Sequence, residues 1–414
     1  MPITGGDSMQ IPDIEEAENV QLVGYHDLED RPAFKMALQR RNDRWYLYLG
    51  HFWHHGWSIV DVTEPEQPEL VRFVPGPANM RTAQVQVADG LMATGIEMWS
   101  QNRDAFDPAL AGIYLWDVAT DPTEPRRVGH YASGGDGAHR SFYGGGDLLY
   151  ATVRNPEGFK GSILVIVDIS DPAVPREIGR WWVPGQHVAA GETPAEGKVR
   201  LHGPAYVVGD RAYAGWGLAG GMILDVSDPV SPQLVSSFDF GDFSNTTGLH
   251  SVVPYPERNL LVANTEAVQE GHLAAPNPIA VIDVSEEMAP RIISTTPIPR
   301  PSPGLGYRNY YEKGGRFGPH NQHHHQGHPD LFEPRDHLVM TSFNAGLRIY
   351  SLEDPYMPVE VGYFVPAPPT RRLGPRPKEA LVCSFEDVLI DARGNIFCTD
   401  ANYGLFVLAH PGLN

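Results

Sequence analysis

Apolar residues along this chain fall in short runs of four to six positions, each closed by aspartate, serine or proline, and one such run is written six times: 58–65, 113–118, 164–172, 222–229, 280–285 and 347–355. Leu164-Val-Ile-Val-Asp168 is the plainest copy, and Gly404–Leu408 is a seventh, shortened one. Runs this short, rich in β-branched and aromatic residues and ended by turn formers, predict a buried strand followed by a tight turn. Most copies are followed by Pro-x-x-Val/Ile-Gly, at Pro125–His130, Pro175–Trp181 and Pro358–Tyr363, which predicts a further strand. Upstream, Gly/Asp turns within Tyr143–Tyr150 and Val208–Tyr213 split two more strands. Four antiparallel strands per repeat describe a propeller blade.

Counting first strands gives blades starting near Lys35, Arg81, His139, His202, His250, His323 and Glu386, hence an all-β, seven-bladed propeller. The last blade lacks its fourth strand, whereas Asn19–Tyr25 has the pattern of a fourth strand with no blade before it. The N-terminal segment 1–34 is therefore expected to complete the last blade, with blades over 35–410 and one domain over 1–414. The 43 glycines and 38 prolines suit a protein of short strands and many turns. No apolar run approaches the ~20 residues that span a bilayer, and the first ten residues lack signal-peptide character, so a cytoplasmic address is expected. A net charge of −20 argues against nucleic acid or anionic membrane as partner. Cys383 and Cys398 read as small buried hydrophobes in a reducing compartment. The repeated Asp61, Asp117, Asp168, Asp225 and Asp283 read as turn residues.

The start of each first strand is the position nearest the axis. His139, His202, His250 and Glu386 each lie eleven residues before an aligned second-strand position, and Arg81 occupies the same slot in blade two. In blade six the long connection Gly318–His328 leaves the slot to His323, with His320 in reserve. His139, His202, His250 and His323 are thus the expected metal ligands. Imidazoles from four adjacent blades leave one side of an ion open, which suits Fe(II) first, with manganese, copper or zinc as alternatives. A second ring, five positions beyond the alignment point, contains Trp53, Glu97, Asn155, Leu218, Glu266, Asn344 and Asn402. From these, Glu266 and Glu97, with Arg81 and Glu386, are the candidates for acid–base or orienting work. Trp53, Arg154, Trp216, Asn344 and Asn402 are the candidates for substrate contact, with Trp99, Tyr307 and Phe317 as further apolar wall over the long connections 185–200, 299–316 and 366–380.

The phrases Leu164–Asp168, Gly318-Pro-His-Asn321, Phe343–Arg348 and Glu386-Asp-Val388 with Asn402–Leu405 resemble the LVIVD-repeat propeller family across nearly the whole chain. The axial arrangement resembles, in architecture, that of the carotenoid-cleaving oxygenases. That resemblance implies Fe(II) on His139, His202, His250 and His323, with Glu266 behind His250. The expected function is a metal-dependent enzyme, an oxygenase first, acting on a small, partly apolar organic molecule. A metal-dependent lyase, hydratase or hydrolase, a copper oxidase similar to the methanethiol oxidases, and a non-catalytic protein-binding propeller are the alternatives.

Overall fold

The computed structural model describes residues 11–98, 103–274, 276–325 and 327–413. Trp99 lies outside them. Seven antiparallel units follow one another along the chain. Blade three shows the plan, with strands Ala138–Phe142, Leu148–Arg154, Ser162–Asp168 and Arg176–Trp181 paired in chain order. The repeated apolar phrase is the third strand. In Ser162–Asp168 six consecutive residues are buried, because neighbouring blades cover both faces of the sheet; the outer strand Arg176–Trp181 is mostly half-exposed. Burial on both faces is why the run is continuous rather than alternating. The repeated aspartates close the turns as expected: each of Asp61, Asp117, Asp168, Asp225 and Asp283 accepts a backbone N–H two residues on.

The N-terminal segment is used twice. Gln21–His26 pairs with Leu405–Ala409 and completes blade seven, as its pattern predicts. Ile14–Glu18 pairs with Val359–Pro366 and adds an outermost strand to blade six, which the sequence reading did not anticipate. Four of its five residues are glutamate or alanine in the order Ile-Glu-Glu-Ala-Glu, a composition with little strand propensity; it is held instead by buried Glu16, which accepts from the Ser302 backbone N–H (2.8 Å) and from the Tyr310 hydroxyl. No helix among the described residues is long and apolar enough to cross a membrane.

Adjacent blades meet at a repeated seam, where a small or polar residue of one second strand meets a carbonyl of the next blade's first strand. Thr152 donates to Gly203 O (3.1 Å), Asn264 to His320 O (2.9 Å), Thr341 to Glu386 O (3.3 Å) and Thr399 to Phe34 O (2.6 Å), the last joining blade seven to blade one. Blades one, two and four use Gly50, Gly95 and Gly215 instead. A Cβ on Gly215 would stand 2.5 Å from the carbonyl oxygen of His250, so only glycine admits the approach. The seams thereby fix the backbone of His250, His320 and Glu386.

Candidate metal centre

The first strands carry a β-bulge near their start. Register shifts lie between Ala138 and Arg140, between Leu249 and Ser251, and between Phe385 and Asp387, leaving His139, His250 and Glu386 as the extra residues. In blade six Thr341 accepts from His320 N and donates to Asn321 O, both at 2.9 Å, so two residues again oppose one and His320 holds the bulge. A bulge turns its extra side chain out of the sheet's alternation, and here it turns these side chains toward the axis.

Three imidazoles meet one carboxylate there. Glu266, at the end of the second strand of blade five, has Oε2 3.0 Å from His202 Nε2 and 3.6 Å from His250 Nε2, and Oε1 3.6 Å from His320 Nε2. The donor atoms of His202, His250 and Glu266 all lie within 4.8 Å of one another and all three residues are buried. Metal–ligand bonds of about 2.1 Å place neighbouring donors roughly 3.0–3.5 Å apart, close to these separations. The protonation states suit a cation. Burial pulls His202 down to about 4 and His250 well below its ordinary value, so both are neutral near pH 7. Burial opposes charge on Glu266, yet the imidazoles of His320, His202 and His250 outweigh it and hold the carboxyl well below its usual range.

The hydrogen bonding favours the same occupant. His202 Nε2 lies 3.1 Å from Arg200 Nη2, and His320 Nε2 lies 3.2 Å from Arg140 Nη2, so each imidazole offers a lone pair to a guanidinium while facing a carboxylate. Buried His250 Nε2 has no hydrogen-bond partner. A cation between the Nε2 atoms and Glu266 would give His250 Nε2 a partner and would compete with the two guanidiniums for the lone pairs of His202 and His320. Behind it, Arg316 bridges Glu266 (3.4 Å) and Glu386 (2.5 Å), and Glu386 lies 3.2 Å from His320 Nδ1, which orients that ring. His320 stacks on Phe343 with centroids 4.6 Å apart, and Arg316 lies 3.8 Å from the same ring.

The remaining candidates are placed elsewhere. His323 does not join the cluster: its Nε2 is 2.7 Å from Phe332 O and its Nδ1 accepts from Ile390 N–H at 3.2 Å, leaving no nitrogen for an ion. His320 takes the position assigned to it, because eight more residues than in the other blades separate the bulge from the second strand. His139 forms a second group, donating to Glu97 at 2.9 Å; Arg81 (2.7 Å) and Arg154 (2.8 Å) bind the same carboxylate. Burial works against charge on Glu97, but Arg81, His139 and Arg154 together keep it ionised. Trp216 is core, its Nε1 donating to Gln186 at 2.6 Å and its ring edge-on to Trp181. Asn344 and Asn402 hold loops, donating to Tyr310 O and Gly314 O and to Arg376 O. Trp53 stacks on Phe52, and Tyr307 and Phe317 pack around Tyr310. The arginines of the site, Arg200 and Arg316, were missed; the signal was their position two residues before His202 and four before His320, inside the long connections.

A cavity of about 520 Å³ opens elsewhere, lined by Phe142, Tyr150, Val207, Tyr255 and His323 to His325. Its lining comes from the far ends of the first strands, opposite the bulges. The convergent buried charges are at the Glu266 end.

A profile of the LVIVD repeat matches residues 158–182 and 206–240, the outer half of blade three and all of blade four. No match to a curated protein was found. Among solved structures, a chain in the crystal structure of the mitotic checkpoint complex is similar in fold, with a TM-score of 0.52, 11% identity and 99% of each chain covered. The computationally designed Ika8 protein aligns with a TM-score of 0.45 and 10% identity, over 93% of this chain and 87% of that one. The expected likeness to the carotenoid-cleaving oxygenases finds no support: the centre has three imidazoles around a carboxylate, with His139 and His323 outside it.

Proposed function

We propose that the chain is a metal-dependent enzyme whose ion is held by His202, His250 and Glu266, with His320 as a further donor. The observation that carries this reading is the convergence of three Nε2 atoms on one buried carboxylate. Two imidazoles and a carboxylate are the donor set that non-haem Fe(II) enzymes use with neighbouring positions open, so iron ranks ahead of manganese, copper and zinc. When bound, the ion would supply dioxygen activation or Lewis acidity toward a small organic substrate. The chain's own residues would keep His202 and His250 neutral and Glu266 ionised, orient the donors through Glu386 and Arg316, and shape the approach. A reducing compartment such as the cytoplasm suits both Fe(II) and the buried thiols Cys383 and Cys398.

Elemental analysis of protein reconstituted anaerobically with Fe(II) tests the proposal. About one ion per chain is expected for the parent and for His323→Ala, and at least a 100-fold weaker affinity for His250→Ala. An ion-free parent, or full occupancy in His250→Ala, would overturn it.

A further inference from the structure

Among the described residues the guanidiniums of Arg81, Arg140, Arg154, Arg200 and Arg316 stand at the two groups, with Arg376 in the field of Glu266 and Glu386, and the carboxylates that form ion pairs there are Glu97, Glu266 and Glu386. Arg81 and Arg154 share Glu97, and Arg316 bridges the other two. Arg140 and Arg200 are the surplus. Among the described residues neither has a carboxylate within ion-pair distance, in a chain whose net charge is −20. Arg140 is only 3% exposed; it donates to Asn321 Oδ1 (2.8 Å) and toward His320 Nε2, and its Nε has no partner. Arg200 touches His202 Nε2, and its Nε is likewise buried and unpartnered. Burying a guanidinium without a counterion is costly, and such a charge is retained where an anion is to be received.

A cation at Glu266 sharpens the imbalance. It would take the lone pairs of His202 and His320 that now accept from Arg200 and Arg140, freeing both guanidiniums to turn to another acceptor beside the ion. We infer that Arg140 and Arg200 form an oxyanion clamp holding the carboxylate or phosphate of an anionic substrate next to the metal centre. This deepens the enzymatic reading and depends on it only for what happens to the rest of the substrate. The Phe34–Phe52 pair, centroids 4.3 Å apart, lies on the same side, with Arg140 5.4 Å from the Phe34 ring and Arg81 5.2 Å from the Phe52 ring. The partly exposed Phe52 ring, backed by the buried Phe34, favours an organic anion over inorganic phosphate.

Calorimetric titration of the full chain, with and without bound Fe(II), against benzoate, acetate and inorganic phosphate tests the clamp. One equivalent of anion is expected to bind, benzoate most tightly, with affinity falling at least tenfold in Arg200→Gln and again in Arg140→Gln, each compared with the parent at equal metal content. Phosphate as the tightest ligand, with the same dependence on both arginines, would support the clamp and identify a phosphorylated substrate. Anion binding that both variants retain, or no binding to a metal-loaded, folded parent, would overturn it. Arginine-dependent binding by a chain that holds no metal would leave the clamp standing and remove the metal reading alone. Arg200 is half-exposed, so Arg200→Gln gives a readout even where the buried Arg140→Gln fails to fold.

Discussion

His51 and His323 are histidines bound inside the fold, and their effect is on stability. Each is fully buried, with ring nitrogens engaged by Pro32 O and Ser58 or by Phe332 O and Ile390 N–H, and burial lowers each to about 3. Between about pH 6.5 and 3 the unfolded chain therefore binds protons that the folded chain refuses, so their contribution is complete above pH 6.5 and is lost as pH falls toward 3. Urea denaturation across that range should give stability that falls with acid, with a shallower slope in His51→Gln. At this scale the sequence was legible where spacing was constant. His139, His202 and His250 stood in register because their hairpins share one length, whereas the eight extra residues between blade six's bulge and second strand hid His320 behind His323. Register alone could not tell a ligand from a neighbour. His139 shares the slot of His250, but Glu97, Arg81 and Arg154 claim it, and only side-chain geometry reveals that.

Among the elements, the seam between blades decides how firmly the centre is held. Gly215 faces the carbonyl of His250, and a methyl group there would force blade five's first strand outward. Gly215→Ala is expected to lower stability by about 1–3 kcal/mol and to weaken metal retention, measured by urea melts and elemental analysis. Thr399→Val, which loses the hydroxyl bond to Phe34 O at the seam of blades seven and one, should cost about 1 kcal/mol in urea melts. The third strands could be read directly from sequence because burial on both faces demands an unbroken apolar run. Ile14–Glu18 could not, because its place is set by partners some 350 residues away and not by its own residues.

For the molecule as a whole, the join of blade seven to blade one contains a buried ion pair. Lys35 Nζ lies 2.7 Å from Asp387 Oδ1, and the other oxygen of Asp387 accepts the Met36 N–H at 2.8 Å. Asp387→Ala would leave Lys35 charged and alone, and a loss of about 3–5 kcal/mol is expected in chemical denaturation. The two N-terminal strands add a different constraint, one of timing. Residues 14–26 are synthesised before all seven blades, yet the segments they pair with, Val359–Pro366 and Leu405–Ala409, follow more than 300 residues later. Until those segments are made the two strands wait without neighbours, and a transcript cut short before residue 405 yields a chain in which Gln21–His26 never finds its partner.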